Sequence, residues 1–251
     1  MTTYRELTCQ KLGNYMVVRF ENASHDSGWM TRLANELEDL CTEINWDEET
    51  RVVVLAYPGN TFQLKAGQRS PWGESSSVSF VEQVAQIKKP VIAAIDGDAL
   101  GLGLELALAC DIRIGTEGSC FGLTQIAEGL IPSAGGTQRL PRLIGLSKAL
   151  EMVLTGETVD SAEALRVGLV HKLVSAEALM DTATKLAEDM AARSPLAMIC
   201  VKEALHSALD LTLDQGMRME LDLYLLLFTT QDRTEGITAF KEKRKPEFEG
   251  R

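Results

Sequence analysis

Residues 90–111, PVIAAIDGDALGLGLELALACD, decide the fold. PVIAAI (90–95) is an unbroken apolar run behind a proline, the pattern of a strand buried on both faces. Glycines at 97, 101 and 103 interrupt it, and LELALA then resumes with good helix formers. Strand, glycine turn and helix in succession aim unpaired backbone N–H groups at whatever lies above the turn. A dinucleotide does not fit there. Gly101 and Gly103 fill the first two positions of G-x-G-x-x-G, but the third is Leu106. Neither G-x-x-x-x-G-K-[ST] nor G-x-S-x-G occurs, which argues against a phosphate loop and a serine nucleophile elbow. On residues alone, the turn is either a tight structural corner or a set of donors for a substrate oxygen. Glu105 bears on that choice. In the first turn of a helix the dipole favours a carboxylate, and the same place sets a general base beside backbone donors.

The rest of the chain reads outward from this unit. Upstream, strands are expected at MVVRF (16–20) and RVVVLAY (51–57), with an amphipathic helix at 29–44 between them. A loop-like stretch precedes a helix over VSFVEQVAQIKK (78–89). Downstream, DIRIG (111–115) and CFGLT (120–124) read as strands. Strands alternating with helical runs predict an α/β protein. The second half is mostly helical. Asp160 and Glu163 mark a helix start, Gly168 its end, and LVHKLV (169–174) a strand. Ser194 with Pro195 opens another helix, and Thr212 with Gln215 makes a capping box ahead of MRMELDLYLLLF (217–228). A helix that apolar is expected to bury most of its faces, against the core or against another subunit.

At 251 residues the chain has room for one large domain, or a core with an appendage. The net charge of −11 argues against a general nucleic-acid binder. The first residues carry no apolar signal region, and no run approaches the roughly 18 apolar residues of a membrane span. The cysteines at 9, 41, 110, 120 and 200 form no C-x-x-C pair and read as reduced thiols. Together these predict a cytoplasmic protein with neither a nucleic-acid nor a membrane partner. Three histidines without ligand spacing predict no metal site.

Residues 88–145, KKPVIAAIDGDALGLGLELALACDIRIGTEGSCFGLTQIAEGLIPSAGGTQRLPRLIG, resemble the characteristic region of the enoyl-CoA hydratase/isomerase, or crotonase, family. ALEMVLTGETVDSAEALRVGLVHKLV and FTTQDRTEGITAFKEKRKPEFEG extend the likeness over most of the chain. The resemblance implies an α/β fold: a crotonase-like spiral of ββα units with the thioester site over 1–192, and a C-terminal α-helical trimerisation region over 193–251. It also implies an acyl-CoA thioester substrate, a homotrimer or dimer of trimers, and no cofactor beyond the coenzyme A of the substrate itself.

Matched residue by residue, the family's two enolate-stabilising backbone donors fall on Leu102 and, with FQLKAG (62–67) laid without a gap, on Ala66; matching KAG instead shifts the second. Gly67, Gly101 and Gly103 flank these donors and are expected to contact the substrate and its CoA. Lys65 and Arg69 are expected to meet the phosphates of CoA. Trp72 is expected to line the acyl pocket or simply plug a hydrophobic gap. Lys243, in the basic run KEKRK (241–245), either reaches a neighbouring subunit's nucleotide site or lies on a solvated helix face. Hydratases of the family hold one water between two glutamates. Glu105 matches the first, but in CFGLTQIAEG the second position is Gln125. Glutamine can orient a water but cannot carry a proton away. Glu128, three residues on, is either a substitute or a solvated surface carboxylate. The expected reaction is hydration or dehydration of a conjugated enoyl-CoA or dienoyl-CoA, with Glu105 as sole general acid and base. The alternatives are thioester hydrolysis, decarboxylation or C–C cleavage on the same scaffold, and a non-catalytic thioester-binding subunit.

Overall fold

Alternation along the central strands sorts their side chains between two layers. The computed structural model describes residues 4–21, 28–58 and 75–251. Strands β1 (Leu7–Leu12) and β2 (Tyr15–Phe20) form an antiparallel hairpin. Helix α1 (Trp29–Trp46), β3 (Val52–Pro58), α2 (Ser75–Ala85) and β4 (Val91–Asp96) follow. Next come β5 (Ala99–Leu100), α3 (Leu102–Ala109), β6 (Ile112–Thr116) and β7 (Cys120–Gly122). After a 3₁₀ turn (Gln125–Glu128), the chain forms α4 (Gly136–Ile144), α5 (Leu146–Thr155), β8 (Val159–Asp160), α6 (Ser161–Arg166), β9 (Lys172–Val174) and α7 (Ala176–Ala191). It closes with α8 (Pro195–Ser207), α9 (Leu213–Leu227) and α10 (Gln231–Glu242).

The main sheet has the order β1-β2-β3-β4-β6-β9 and is parallel from β2 onward. Val53, Leu55 and Tyr57 face a core shared with α1, α2 and α3. Val52, Val54 and Ala56 face the other way, onto Leu179, Ala183 and Ala187 of α7. Consecutive residues of a strand point to opposite faces, so an all-apolar strand covered on both sides is what this sequence requires. A second sheet, β5-β7-β8, stands beside the first and carries the turn into α3.

The predicted caps form. Asp160 accepts from the Glu163 N–H at 2.8 Å, Ser194 accepts from Ala197, and Thr212 and Gln215 exchange the reciprocal bonds of a capping box. Strand β1 lies outside the sequence expectation, because its LTCQKL is an edge strand with only Leu7 fully buried and gives a weak pattern. Helix α2 begins at Ser75, ahead of the predicted 78, and ends at Ala85. Of the two kinds of cover expected for the last apolar helix, the core of its own chain does not supply one. Helix α9 has no buried residue, and Leu213, Met217, Leu221 and Tyr224 are each more than half exposed. Among the described residues no helix is long and apolar enough to cross a membrane.

Candidate active site

Helix α3 is the axis of the site. Gly101 is its N-cap, and its own N–H is taken by the Gly122 carbonyl at 2.8 Å, which locks the turn to strand β7. The first intrahelical bond runs from the Glu105 N–H to the Gly101 carbonyl. Leu102, the first helical residue, therefore presents an N–H that helix geometry leaves without a partner. From strand β3, the buried Tyr57 hydroxyl donates to the Gly103 carbonyl at 2.9 Å and fixes this first turn from behind. Burial holds that phenol well above its ordinary value of 10.0, so it stays a neutral donor. At the far end, Arg113 donates to the carbonyls of Ala107 and Cys110, a cation where the helix dipole is negative.

Glu105 is 1 % exposed and is held at both oxygens. Oε1 accepts from the Ala134 N–H at 2.7 Å and the Gly136 N–H at 2.9 Å, and Oε2 accepts from Gln125 Nε2 at 3.0 Å. Gly136 is the first residue of α4, so the carboxylate sits in the first turn of its own helix and at the amino end of a second. Both dipoles favour negative charge there, the state in which Glu105 can take up a proton.

Gln125 is 5 % exposed, and its amide orientation is set by its donation to Glu105. Turned over, its carbonyl oxygen would face the carboxylate and the amide hydrogens would lose their acceptor. The remaining atom, Oε1, is buried without a hydrogen-bond partner among the described residues. The Gln125 amide also lies against the glycine turn, with Nε2 3.8 Å from where a Cβ on Gly101 would stand. Among the described residues, the carboxylate, the open amide oxygen and the amino end of α3 at Leu102 thus lie around one turn of backbone. A buried acceptor left open costs about 1–3 kcal/mol, so this oxygen is suited to accept from a ligand or water.

The 3₁₀ turn that buries Gln125 leaves Glu128 exposed, and Glu105 Oε2 is met by Gln125 rather than by that carboxylate. Gly101 is half-buried and Gly103 buried. Lys243 is exposed as the C-cap of α10, in the left-handed conformation at φ 55°. Lys65, Ala66, Gly67, Arg69 and Trp72 lie outside the described residues. Tyr57, Ala134 and Gly136 are additional members of the site. Only the glycine pair in PSAGGTQR, just ahead of a helix, signals the last two in the sequence.

The fold and this cluster set a buried carboxylate beside backbone donors in an α/β protein, an arrangement suited to acid–base chemistry. The chain belongs to the enoyl-CoA hydratase/isomerase family, whose profile matches residues 13–251. It is 40 % identical over 226 residues to a probable enoyl-CoA hydratase of Rhizobium meliloti, covering 87 % of this chain and 88 % of that protein. It is 38 % identical over 231 residues to the 2,3-dehydroadipyl-CoA hydratase of Escherichia coli, covering 88 % of each. Among solved structures, an enoyl-CoA hydratase from Bacillus anthracis matches with a TM-score of 0.90 at 36 % identity, over 98 % of this chain and all of that one. The crotonase-type spiral core and the helical C-terminal region are those of the family.

Proposed function

We propose that the protein hydrates, and in reverse dehydrates, a conjugated enoyl-CoA or dienoyl-CoA thioester, with Glu105 as the only proton carrier. The carrying observation is the Glu105–Gln125 hydrogen bond together with a Gln125 Oε1 that has no partner among the described residues. A water between them gives one hydrogen to Glu105 and the other to Gln125 Oε1, which leaves a lone pair free to attack. As its oxygen bonds to the β-carbon, Glu105 takes a proton from it. The electrons pass through the double bond to the thioester oxygen, where the Leu102 and Ala66 N–H groups hold the negative charge. Such a donor is typically worth about 3 kcal/mol in the transition state. Collapse of the enolate returns the proton from Glu105 to the α-carbon, completing the addition of one water. The scheme needs no metal and no cofactor beyond the substrate's own coenzyme A.

Gln125 can orient but cannot donate a proton in the second step. Extended conjugation in the substrate spreads the developing charge and lessens the need for a second acid, hence the preference for dienoyl or otherwise conjugated chains. That two relatives bear hydratase names, one for a dehydroadipyl thioester, supports hydration as the class. The same reading carries Lys65 and Arg69 as contacts for the CoA phosphates, Trp72 as acyl-pocket lining, and Lys243 as a contact into a neighbouring subunit. The assembly is a homotrimer or dimer of trimers, supported by the uncovered apolar face of α9, and the location is cytoplasmic. Mass spectrometry of enoyl-, dienoyl- and β-ketoacyl-CoA incubations tests the reaction. A gain of one water that falls about 10²–10⁴-fold in Glu105→Gln is expected. Release of CoA or CO₂ favours the hydrolytic or decarboxylating alternative, and best turnover on crotonyl-CoA overturns the conjugated-substrate assignment.

A further inference from the structure

The loop that holds Glu105 is itself held by one side chain. Arg139 folds back from the first turn of α4 and donates from Nη1 to the Ala134 carbonyl at 2.8 Å. The N–H of that same Ala134 is one of the two donors to Glu105 Oε1. The peptide before Ala134 therefore meets the carboxylate, and the peptide after it meets the guanidinium. The main chain closes the same unit, since the Gly135 carbonyl accepts from the N–H groups of Arg139 at 2.8 Å and Gln138 at 3.0 Å. Gly135 answers two demands at once. Its φ of 93° is one that side chains resist, and a Cβ there would collide with Arg139 Nη1 as it stands. Among the described residues Arg139 forms no ion pair, so its charge is directed at backbone rather than at an acid.

We propose that Arg139 is a positioning residue for Glu105. By tying down the Ala134 carbonyl its guanidinium holds the segment that carries both Oε1 donors in register and sets where the carboxylate stands against the bound water and the thioester. Its consequence for turnover rests on the hydration reading; its consequence for the donors does not. A misplacement of about 1 Å at a reacting group typically costs about 10²-fold in rate.

Two readouts separate the layers. In protein labelled with ¹⁵N at alanine and glycine, the Ala134 and Gly136 amide resonances report their bonds to Glu105 without any substrate. Arg139→Gln is expected to displace both, Arg139→Lys to restore them in part through its single donor, and Glu105→Gln to displace them by a separate route. With a dienoyl-CoA substrate, kcat of Arg139→Gln falls about 10–100-fold while KM stays within about twofold, and Arg139→Lys recovers much of the loss. Arg139→Met keeps the apolar stem and serves if Arg139→Gln does not fold. Resonances that superimpose on wild type in the Gln or Met variant overturn the proposal. Displaced resonances in a protein inert toward every enoyl thioester uphold the positioning role and count against hydration. Hydration with undisplaced resonances does the reverse.

Discussion

The Glu105 carboxylate is crowded by design at one point, Gly136. A Cβ there would stand 3.0 Å from Glu105 Oε1 and 2.9 Å from both Leu123 Cδ1 and Pro132 Cβ. Leu123 and Glu105 are buried and Pro132 is cyclic, so a shift of the site is needed to admit it. Gly136→Ala must therefore lengthen the Gly136 N–H bond to Oε1 and push the carboxylate aside. Steady-state kinetics should show kcat down by about 10–100-fold with KM little changed; a kcat within about twofold of wild type would contradict this. Gln125→Glu probes the other oxygen. It supplies the missing second acid but removes the amide that donates to Oε2, and ordinary crotonyl-CoA hydration is expected to rise. If it does not, the pairing of Glu105 with position 125 is wrong. At this scale the sequence is uneven. Glu105 is legible because it follows the glycine turn at a fixed distance, and Gln125 because it stands where a matching motif has an acid. The donors from Ala134 and Gly136 are not, since a backbone N–H carries no residue identity and only the fold brings it 29 to 31 positions back along the chain.

Among elements, Asp111 joins the site's scaffold to the C-terminal helices. Its Oδ2 accepts from the Val91 N–H at the head of β4 and from Lys202 Nζ of α8, both at 2.7 Å, and Oδ1 pairs with His206 at 2.9 Å. Burial pushes this carboxyl up, but the bonds from His206 and Lys202 outweigh it and leave the group below its ordinary 3.8. A depressed acid stabilises the fold fully above its unfolded value and loses that contribution as pH falls through its folded value. Asp111→Asn should therefore lower the melting temperature where Asp111 is ionised, with the gap closing as pH drops from about 4 downward. Thermal melts of both proteins across that range check it, and a gap that stays open at the lowest pH where both fold would refute it. The elements themselves were largely readable. Strands β2, β3, β4 and β6 announce themselves as apolar runs because both faces are covered, and the caps of α6, α8 and α9 because their side chains bond to the next turn. The edge strand β1 was not, since a half-exposed segment of mixed polarity satisfies helix, strand and loop patterns alike, and neither was the start of α2, where a run of serines carries no apolar period.

For the whole molecule, the unresolved demand is the apolar face of α9. Leu213, Met217, Leu221, Tyr224 and Phe228 fall at intervals of four, four, three and four residues, which places them on one side of the helix. Leu221 is 54 % exposed and Met217 62 %, and they line a groove with Ala204 and Leu205 of α8. Leu205 and Val201 are likewise more than half exposed, so the stripe continues across both helices. Burying a side chain of this size contributes about 1.5–3 kcal/mol, and a stripe of five left in water is a surface that monomers rarely carry. A closed ring of three chains, as proposed above, would remove it from water with one repeated contact, and stacking two rings would remove more. Light scattering on the purified protein is expected to give a mass of three or six times 27.5 kDa. The double substitution Met217→Asp with Leu221→Asp places two carboxylates in that contact, and each would have to lose its hydration to stay. The variant should dissociate to smaller species while keeping its helical circular dichroism, because neither side chain is buried within its own chain. A wild-type protein that runs at 27.5 kDa at micromolar concentration, or a variant that keeps the full assembly, would show that another surface carries the contact.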